Sequence, residues 1–572
     1  MLRDGTVITT NPSLSSIRDF GATIGGPILK DKLWFYAGVQ AAFSRYDLER
    51  HLSALQFDAN GNRIRVDESG NPVAVDEKGN VLDKTVPSFT KVVPIDGTSR
   101  RYATHDQTLQ YIGKLTYLFN QDHNVTLSIA GTPNTSGGNG ALPDGFRTTN
   151  LIGPYSAYAA QNIETANDLS LKYSGAFSNK TRLLDVTFGW HHQRSATLPA
   201  DGSTLGGKEG QAGVPSVSYI RSDPRPHSIT DFRNFEPGIG TACERAMNGA
   251  GPDPCPVTSY LTGGYGFIDD SSIDSYQTKV TGTNLFTAAG HHVVKAGIDF
   301  QFLSFAHTKA YTGGVAFQES DDGTYFRDNR QYGFLTGPDT VAGNVILQDS
   351  TTARTTSTVI GGFVQDSWQI LDKVTLNAGL RYDTQTMFGA DGTVGLSLPN
   401  QWSPRVGVIY DFSQQGRSKV YAYYARFYET VPLNIADRAF PGEVQVGASH
   451  NTASCDPSVN PNSEGCRGST GLTRGDAAYG NGVSNPNQFY NRTGGDKVPV
   501  DPDIKAQSSD QIVIGGEYEV FPDARLALNY THSYLNQAIE DMSRDEANTY
   551  FLGNPALASR RTSPRRSATT TR

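Results

Sequence analysis

The chain has 572 residues, including 60 Gly, 27 Tyr and 27 Phe but only 4 Met and 4 Trp, a composition typical of sheets and turns. No run of about 18 apolar residues occurs, which excludes a membrane-spanning helix, and a net charge of −8 argues against a nucleic-acid partner. The mean hydropathy of −0.42 suits either a soluble protein or a transmembrane β-barrel, in which only alternate residues face lipid.

Seven short polar turns divide the chain, and each lies between two segments in which apolar and polar residues alternate. The turns lie within residues 28–35, 119–127, 177–186, 286–294, 370–376, 412–421 and 521–528. Alternation with period two predicts β-strands, and a short turn between two such strands predicts a hairpin. Seven hairpins predict 14 strands.

The segment 373–383 shows the two faces of such a strand most clearly. Val374, Leu376 and Leu380 fall on one face, whereas Asn377 and Arg381 fall on the other. A second sheet or a helix would cover the apolar face in a soluble protein, and lipid would cover it in a membrane barrel.

The lengths of the connections favour the membrane barrel. Long connections alternate with the short turns and lie near residues 48–105, 133–163, 196–270, 310–351, 388–401 and 429–505. In an up-and-down barrel all short turns meet at one rim and all long loops at the other, as in outer-membrane proteins. The fold predicted is therefore all-β, a transmembrane antiparallel up-and-down β-barrel with short periplasmic turns and long extracellular loops.

Aromatic residues recur beside the short turns, where the membrane interface is expected. Phe residues come directly before five turns and Trp residues lie near two; they are Trp34, Phe119, Phe177, Phe286, Trp368, Phe412 and Phe521. Aromatic side chains form belts at the membrane–water interface of such barrels, so we interpret these seven residues as interface aromatics.

Residues 57–86 contain a nine-residue repeat, in which Asp58, Asp67 and Asp76 each begin an Asp-x-x-Gly-Asn sequence. This sequence suits turns with positive φ at Gly and predicts a small β-meander within the first long loop. A nonapeptide calcium-binding repeat is the alternative, although the paired Gly residues of that motif are missing.

The four cysteines fall into two local pairs inside long loops. Cys243 and Cys255 lie in one loop, and Cys455 and Cys466 lie in another. Their spacing and position favour two disulfides in an oxidising compartment over a zinc site, which would need a closer ligand cluster.

Four segments resemble one known family. Residues 20–40, "FGATIGGPILKDKLWFYAGVQ", are similar to an early barrel segment of Oar-like TonB-dependent outer-membrane receptors. Residues 361–383, 402–432 and 501–541 resemble later strands of the same barrels and follow the same order. The resemblance implies that the chain holds about 14 of the roughly 22 strands of such a barrel.

The resemblance also implies a division of the chain. Residues 1–18 are expected to be the end of an incomplete barrel strand and a loop, 19–541 a partial barrel, and 542–572 the start of a loop and a basic tail outside the barrel. We expect the plug domain and the end of the barrel to be missing, so that the chain alone exposes two unpaired sheet edges and cannot transport.

The family implies a receptor and transporter in the bacterial outer membrane. It would bind an extracellular ligand, such as an iron chelate, glycan, peptide or protein, and move it with energy relayed by the TonB–ExbB–ExbD system through the plug. A passive porin and a surface adhesin are the alternatives. No catalytic motif, cofactor fingerprint or metal-ligand motif occurs, so we predict neither an enzyme nor a cofactor.

Overall fold

The computed structural model describes residues 7–85, 87–220, 227–245, 251–335, 345–347, 350–370, 373–413, 416–440, 443–461, 463–467, 488–494, 498–522, 524–543 and 550–555. Several sequence predictions extend beyond these residues. Residues 1–6, the turn residues 371–372, parts of the loops at 310–351 and 429–505, and the basic tail from 556 lie outside the described residues.

One large sheet contains 14 long strands in chain order, each antiparallel to the next. They are β1 (Ile8–Leu29), β2 (Leu33–Leu55), β3 (Arg100–Asn120), β4 (His123–Gly131), β5 (Ala160–Phe177), β6 (Arg182–Pro199), β7 (Phe267–Thr287), β8 (His291–Tyr311), β9 (Thr351–Ile370), β10 (Val374–Phe388), β11 (Val394–Tyr410), β12 (Ser418–Tyr428), β13 (Ser508–Phe521) and β14 (Ala524–Gln537). The prediction of an all-β, up-and-down sheet with 14 barrel strands is confirmed. Within the described residues, β1 pairs only with β2 and β14 only with β13.

The sheet has one polar and one apolar face. Directly opposed residues on antiparallel strands share a face, and Arg381 lies opposite Phe363, which lies opposite Gly297. We call the face that carries Arg381 lumenal and the face that carries Leu380 outer. Large apolar side chains along the outer face are exposed; among them are Val39, Leu127, Leu171, Ile298, Val364, Leu380, Val406, Ile514 and Leu528.

The strands extend further towards the long loops than the alternating pattern indicates. β1 begins at Ile8, so residues 8–18 belong to a strand instead of the predicted loop. β11 begins at Val394, so residues 389–393 alone connect β10 to β11, and the predicted long loop at 388–401 is wrong. Backbone pairing continues in residues 8–18, where apolar and polar residues do not alternate, and at the start of β11, where Leu396 and Leu398 face the lumen. Ladder hydrogen bonds do not require a lipid-facing side.

The long loops form additional sheets. A seven-stranded sheet is built from three loops and contains Ser216–Ile220, Ser259–Gly263, Val315–Glu319, Tyr325–Leu335, Val345–Leu347, Glu443–Asn451 and Gln488–Gly494. Two-stranded pairs join Arg65–Val66 to Phe89–Thr90, His227–Ser228 to Pro256–Val257, and Glu540–Ser543 to Tyr550–Gly553. Val92–Pro94 and Asn134–Gly137 extend the main sheet.

Helices are few and short. The α-helices are α1 (Leu433–Ala439) and α2 (Glu464–Arg467), and 3-10 turns lie at Asp144–Thr148, Tyr155–Ala157, Gly210–Gly213, Ile229–Phe232 and Thr312–Gly314. Among the described residues, no helix has the length and apolar character needed to cross a membrane.

The repeat at residues 57–86 forms three similar turns. Asp58 Oδ1 accepts hydrogen bonds from the backbone N–H groups of Asn60 and Asn62, at 2.9 and 2.8 Å, and Asp67 and Asp76 repeat this pattern. The third residue after each Asp has positive φ; these are Gly61, Gly70 and Gly79. These backbone hydrogen bonds hold the pKa of each of the first two carboxyls below its usual value.

Candidate ligand-binding mouth

Most of the predicted interface aromatics lie on the outer face at the short-turn end. The rings of Phe286, His292 and Trp368 form a stack across three strands, with centroid distances of 4.9 and 5.2 Å. Phe412 stacks on Tyr518 at 6.0 Å. Phe119, Phe177 and Phe521 are also exposed beside their turns. The role of these residues at a membrane interface stays a prediction.

Trp34 differs from the other predicted interface residues. It lies opposite Thr116, next to the pair formed by Phe35 and Leu115. Leu115 is on the outer face, so Trp34 is on the lumenal face, and its prediction as an interface residue is corrected. Proximity to a turn does not reveal the face, because neighbouring strand residues point in opposite directions.

The lumenal face carries a network of ion pairs between strands. Arg381 of β10 donates from both terminal nitrogens to Asp299 of β8, at 2.7 Å each, and from Nε to Asp383 at 2.7 Å. These three side chains lie over Gly361 of β9, where a Cβ atom would collide with them. Further towards the end of the sheet, Arg426 forms a bidentate pair with Asp510. The lumenal surface is therefore polar and fixed by charge-assisted hydrogen bonds.

The loop between β12 and β13 folds inward at the long-loop end, which we call the mouth. The apolar side chains of Leu433, Ala436 and Phe440 recur at the spacing of one helical face, and this spacing favours the short helix α1. They are buried in one cluster with lumenal side chains, which include Phe305 and Met387. The helix therefore lies against the lumenal wall.

A reciprocal pair of hydrogen bonds fixes the start of this loop. The buried Gln385 side chain donates from Nε2 to the Val431 carbonyl oxygen at 2.8 Å, and its Oε1 accepts from the Val431 N–H at 2.9 Å. At the C-terminal end of α1, the Phe440 ring packs against Gly395, where an added Cβ atom would overlap the ring.

A charged network joins α1 to β8. Oδ2 of Asp437 lies 2.8 Å from His307 Nδ1 and 3.0 Å from Lys309 Nζ. His307 Nε2 in turn lies 3.1 Å from Oδ2 of Asp269 on β7. Asp437 is only 4% exposed and Lys309 only 7%. A helix with apolar contacts is thus held against the wall by a buried ion pair.

The environment of Asp437 favours its charged form. Burial alone would raise the pKa of this carboxyl, but the hydrogen bond from His307 and the charge of Lys309 outweigh burial and lower the pKa. The negative charge of Asp437 is consequently maintained at neutral pH, where it complements both wall residues.

A second buried ion pair, between Arg50 and Glu236, joins other loops to the barrel wall. Arg50, at the loop end of β2, donates from Nη1 to Glu236 at 3.0 Å and from Nε to the Leu151 carbonyl oxygen at 2.6 Å. Tyr260 donates its hydroxyl to the same carboxylate at 3.0 Å. These bonds connect a barrel strand to two loops that are distant in sequence.

The structure joins Cys243 to Cys255 and Cys455 to Cys466. All four side chains are buried in one hydrophobic cluster with Tyr219, Phe317 and other loop residues. Two loops far apart in sequence therefore share one core above the barrel wall. Within the described residues, no group of three or more His, Cys, Asp or Glu side chains is arranged to hold a metal ion.

The loop between β12 and β13 could be predicted from the sequence, but the residues that hold it in the mouth could not. His307 and Lys309 are two residues apart on one strand, a spacing that places them on a common face. The helical spacing of Leu433, Ala436 and Phe440 was also visible. The contact between His307 and Asp437 spans 130 residues, and no local pattern indicates it.

Comparisons with known proteins agree with this architecture. A family model described as "Outer membrane beta barrel domain" matches residues 7–396. The TonB-dependent transporter Oar of Myxococcus xanthus is 44% identical to this chain, and the match covers 96% of the chain and 51% of that protein. The chain thus spans about half the length of this curated relative.

Solved structures also resemble the chain. The outer membrane transporter YddB from Escherichia coli is 12% identical, with a TM-score of 0.45, over 91% of this chain and 49% of that chain. The siderophore receptor PirA from Acinetobacter baumannii is 11% identical, with a TM-score of 0.43, over 96% of this chain and 56% of that chain.

Proposed function

Because the chain belongs to the family of TonB-dependent outer-membrane transporters, we propose that it forms the wall and mouth of a receptor for an extracellular ligand. The ligand would bind between the long loops and then cross the outer membrane along the polar lumenal face. Energy would come from the TonB–ExbB–ExbD system. We assign no catalytic step and no nucleic-acid partner to the chain.

The relationship to a TonB-dependent transporter is the observation that carries this proposal, and it is supported by the inward-folded loop at the mouth. This loop combines an apolar helix face, the buried Asp437 and a lumenal wall that contributes both Phe305 and His307. A passive porin also has an inward-folded constriction loop, and the relationship to a TonB-dependent transporter is what favours a loop that controls ligand entry.

The two disulfides fit a mouth that faces outside. We propose that both form in the periplasm, an oxidising compartment, before the loops reach the cell surface. Their position in one shared core would keep the three-loop sheet rigid while α1 exchanges between docked and released positions.

An uptake assay separates this proposal from its alternatives. Cells that express the complete gene would be given a fluorescent ferric chelate, oligosaccharide or peptide, with and without a protonophore. We expect one probe to accumulate in the periplasm and its accumulation to stop when the proton gradient collapses. Accumulation that continues would indicate a passive porin, and surface binding without accumulation would indicate an adhesin.

A further inference from the structure

We propose that His307 and Lys309 form an anion-binding subsite in the mouth, and that Asp437 of the chain's own loop occupies this subsite until a ligand carboxylate replaces it. This inference rests on the proposed function, because it names the chemistry of a ligand for the same mouth. The cationic groups belong to the rigid wall, and the carboxylate belongs to a loop.

The fit of Asp437 in this subsite is incomplete. Its Oδ2 atom lies close to both His307 Nδ1 and Lys309 Nζ, whereas its Oδ1 atom is buried without a hydrogen-bond partner among the described residues. A buried carboxylate oxygen is normally satisfied by a donor. A free carboxylate is not tethered to a helix, so it can turn and share both oxygens between the two cationic groups.

The wall is prepared for an anion even without Asp437. Asp269 contacts Nε2 of His307, which directs Nδ1 towards the mouth. If α1 leaves, Asp269 is the one carboxylate in contact with His307 within the described residues, and Lys309 loses its contact with Asp437. Departure of α1 thus removes a carboxylate neighbour from both groups, and an incoming carboxylate can take its place through charge-assisted hydrogen bonds.

The surroundings of the subsite define the rest of the ligand. The side chains of Phe305, Met387, Leu396 and Leu398 form a buried apolar cluster against which α1 now packs. Release of α1 would expose this surface beside the two cationic groups. The ligand class that fits is therefore a carboxylate joined to an apolar group, found in short organic acids and in the C-termini of apolar peptides.

Equilibrium binding to the purified full chain in detergent tests this subsite. The probes are hexanoate and its neutral analogue hexanamide, together with trialanine and its C-terminal amide. We expect Asp437→Ala to bind hexanoate at least about tenfold more tightly than the unmodified chain, because the competing carboxylate is gone. Hexanamide should bind both chains equally weakly. If Asp437→Ala increases the affinity for trialanine more than the affinity for hexanoate, the site is assigned to peptide C-termini. If it increases the affinity for hexanoate more, the site is assigned to small acids.

Three further variants control for folding and location. Asp437→Ala with Lys309→Gln should lose hexanoate binding, whereas Asp437→Ala with Lys309→Arg should keep it, so that loss of charge is separated from loss of the fold. Asp391→Ala removes a carboxylate from the neighbouring connection between β10 and β11 and should leave hexanoate binding unchanged.

Equal hexanoate affinity in the unmodified and Asp437→Ala chains would overturn the inference, as would equal gains for hexanoate and hexanamide. Neither TonB nor an energised membrane is present in this assay. Failed uptake in cells with intact hexanoate binding would therefore contradict the transport proposal alone, and failed binding with intact uptake would contradict the subsite alone.

Discussion

Arg50 is almost fully buried and bonds to residues of two different loops, through Glu236 and the Leu151 carbonyl. We predict that Arg50→Ala lowers the stability of the loop assembly by about 3–5 kcal/mol, because the Glu236 charge remains buried without its partner. Hydrogen exchange of the amides in residues 227–245 would measure this loss.

Arg45 provides the control on the same strand. Its pair with Asp47 is exposed on both sides, so Arg45→Ala should cost less than about 1 kcal/mol. The double variant Arg50→Met with Glu236→Leu should cost less than Arg50→Ala. If Arg50→Ala lowered the stability of the loop assembly no more than Arg45→Ala, the buried ion pair would have no structural role.

Gly361 and Gly362 are adjacent residues with different surroundings. A Cβ atom at Gly361 would collide with the Arg381 and Asp383 side chains on the lumenal face, whereas a Cβ atom at Gly362 meets its nearest atom at 3.6 Å. We predict that Gly361→Ala destabilises the barrel sheet by about 1–3 kcal/mol and that Gly362→Ala changes its stability by less than about 0.5 kcal/mol. Heat-dependent gel migration in detergent would compare the unfolding temperatures of the two variants. Equal unfolding temperatures would contradict the assigned faces.

At the scale of elements, docking of α1 should depend on pH. Asp437 is contacted by His307 and Lys309 of β8, and His307 is contacted by Asp269 of β7. Since the pKa of Asp437 is lowered when α1 is docked, its contribution is complete above the usual carboxyl pKa of about 3.9 and is lost as pH falls through the docked value. Protease cleavage within residues 433–440 should therefore increase below about pH 4.

The variant Asp437→Asn is the control for this pH dependence. It lacks the titrating carboxyl but retains the shape of the side chain, so its loop should be cleaved more readily at neutral pH and should show less additional cleavage on acidification. An identical acid profile in both chains would assign the transition to another group.

The two disulfides belong to different loops but to one core. Replacement of either pair by Ala should lower the stability of the loop sheet by about 2–4 kcal/mol, since each closes a segment of 11 or 12 residues. Because both pairs contact the same cluster, the cost of removing both should differ from the sum of the single costs by about 0.5 kcal/mol or more. Chemical denaturation of the three variants would measure this coupling, and strict additivity would contradict a shared core.

At the scale of the whole molecule, tryptophan fluorescence should differ between the two faces of the sheet. Trp402 is exposed on the outer face, whereas Trp34 lies on the lumenal face. Variants with a single Trp in vesicles of brominated phosphatidylcholine should show strong quenching at Trp402 and weak quenching at Trp34, because bromine reaches only lipid-facing side chains. Equal quenching at both positions would contradict the assigned faces.

Much of the barrel sheet could be predicted because its pattern is repeated. Each of the seven hairpins depends on a turn and on alternation in its own two strands, and the predicted number of strands is the observed number. The predictions failed at positions where alternation is not informative. Residues 8–18 are a paired strand without a clear apolar face. In residues 394–398 apolar residues do alternate, but Leu396 and Leu398 face the lumen and pack in the cluster around α1. Trp34 lies one position from a residue that faces outward.

The sequence by itself determined the strands, the short turns and the polar and apolar faces of the sheet, because these follow from backbone geometry and from neighbours within a few residues. Only the tertiary structure decided which loops meet. The contacts of Arg50 with Glu236 and of His307 with Asp437 span 186 and 130 residues. They arise because antiparallel pairing of the sheet carries distant loops to the same rim, where buried charges must find partners.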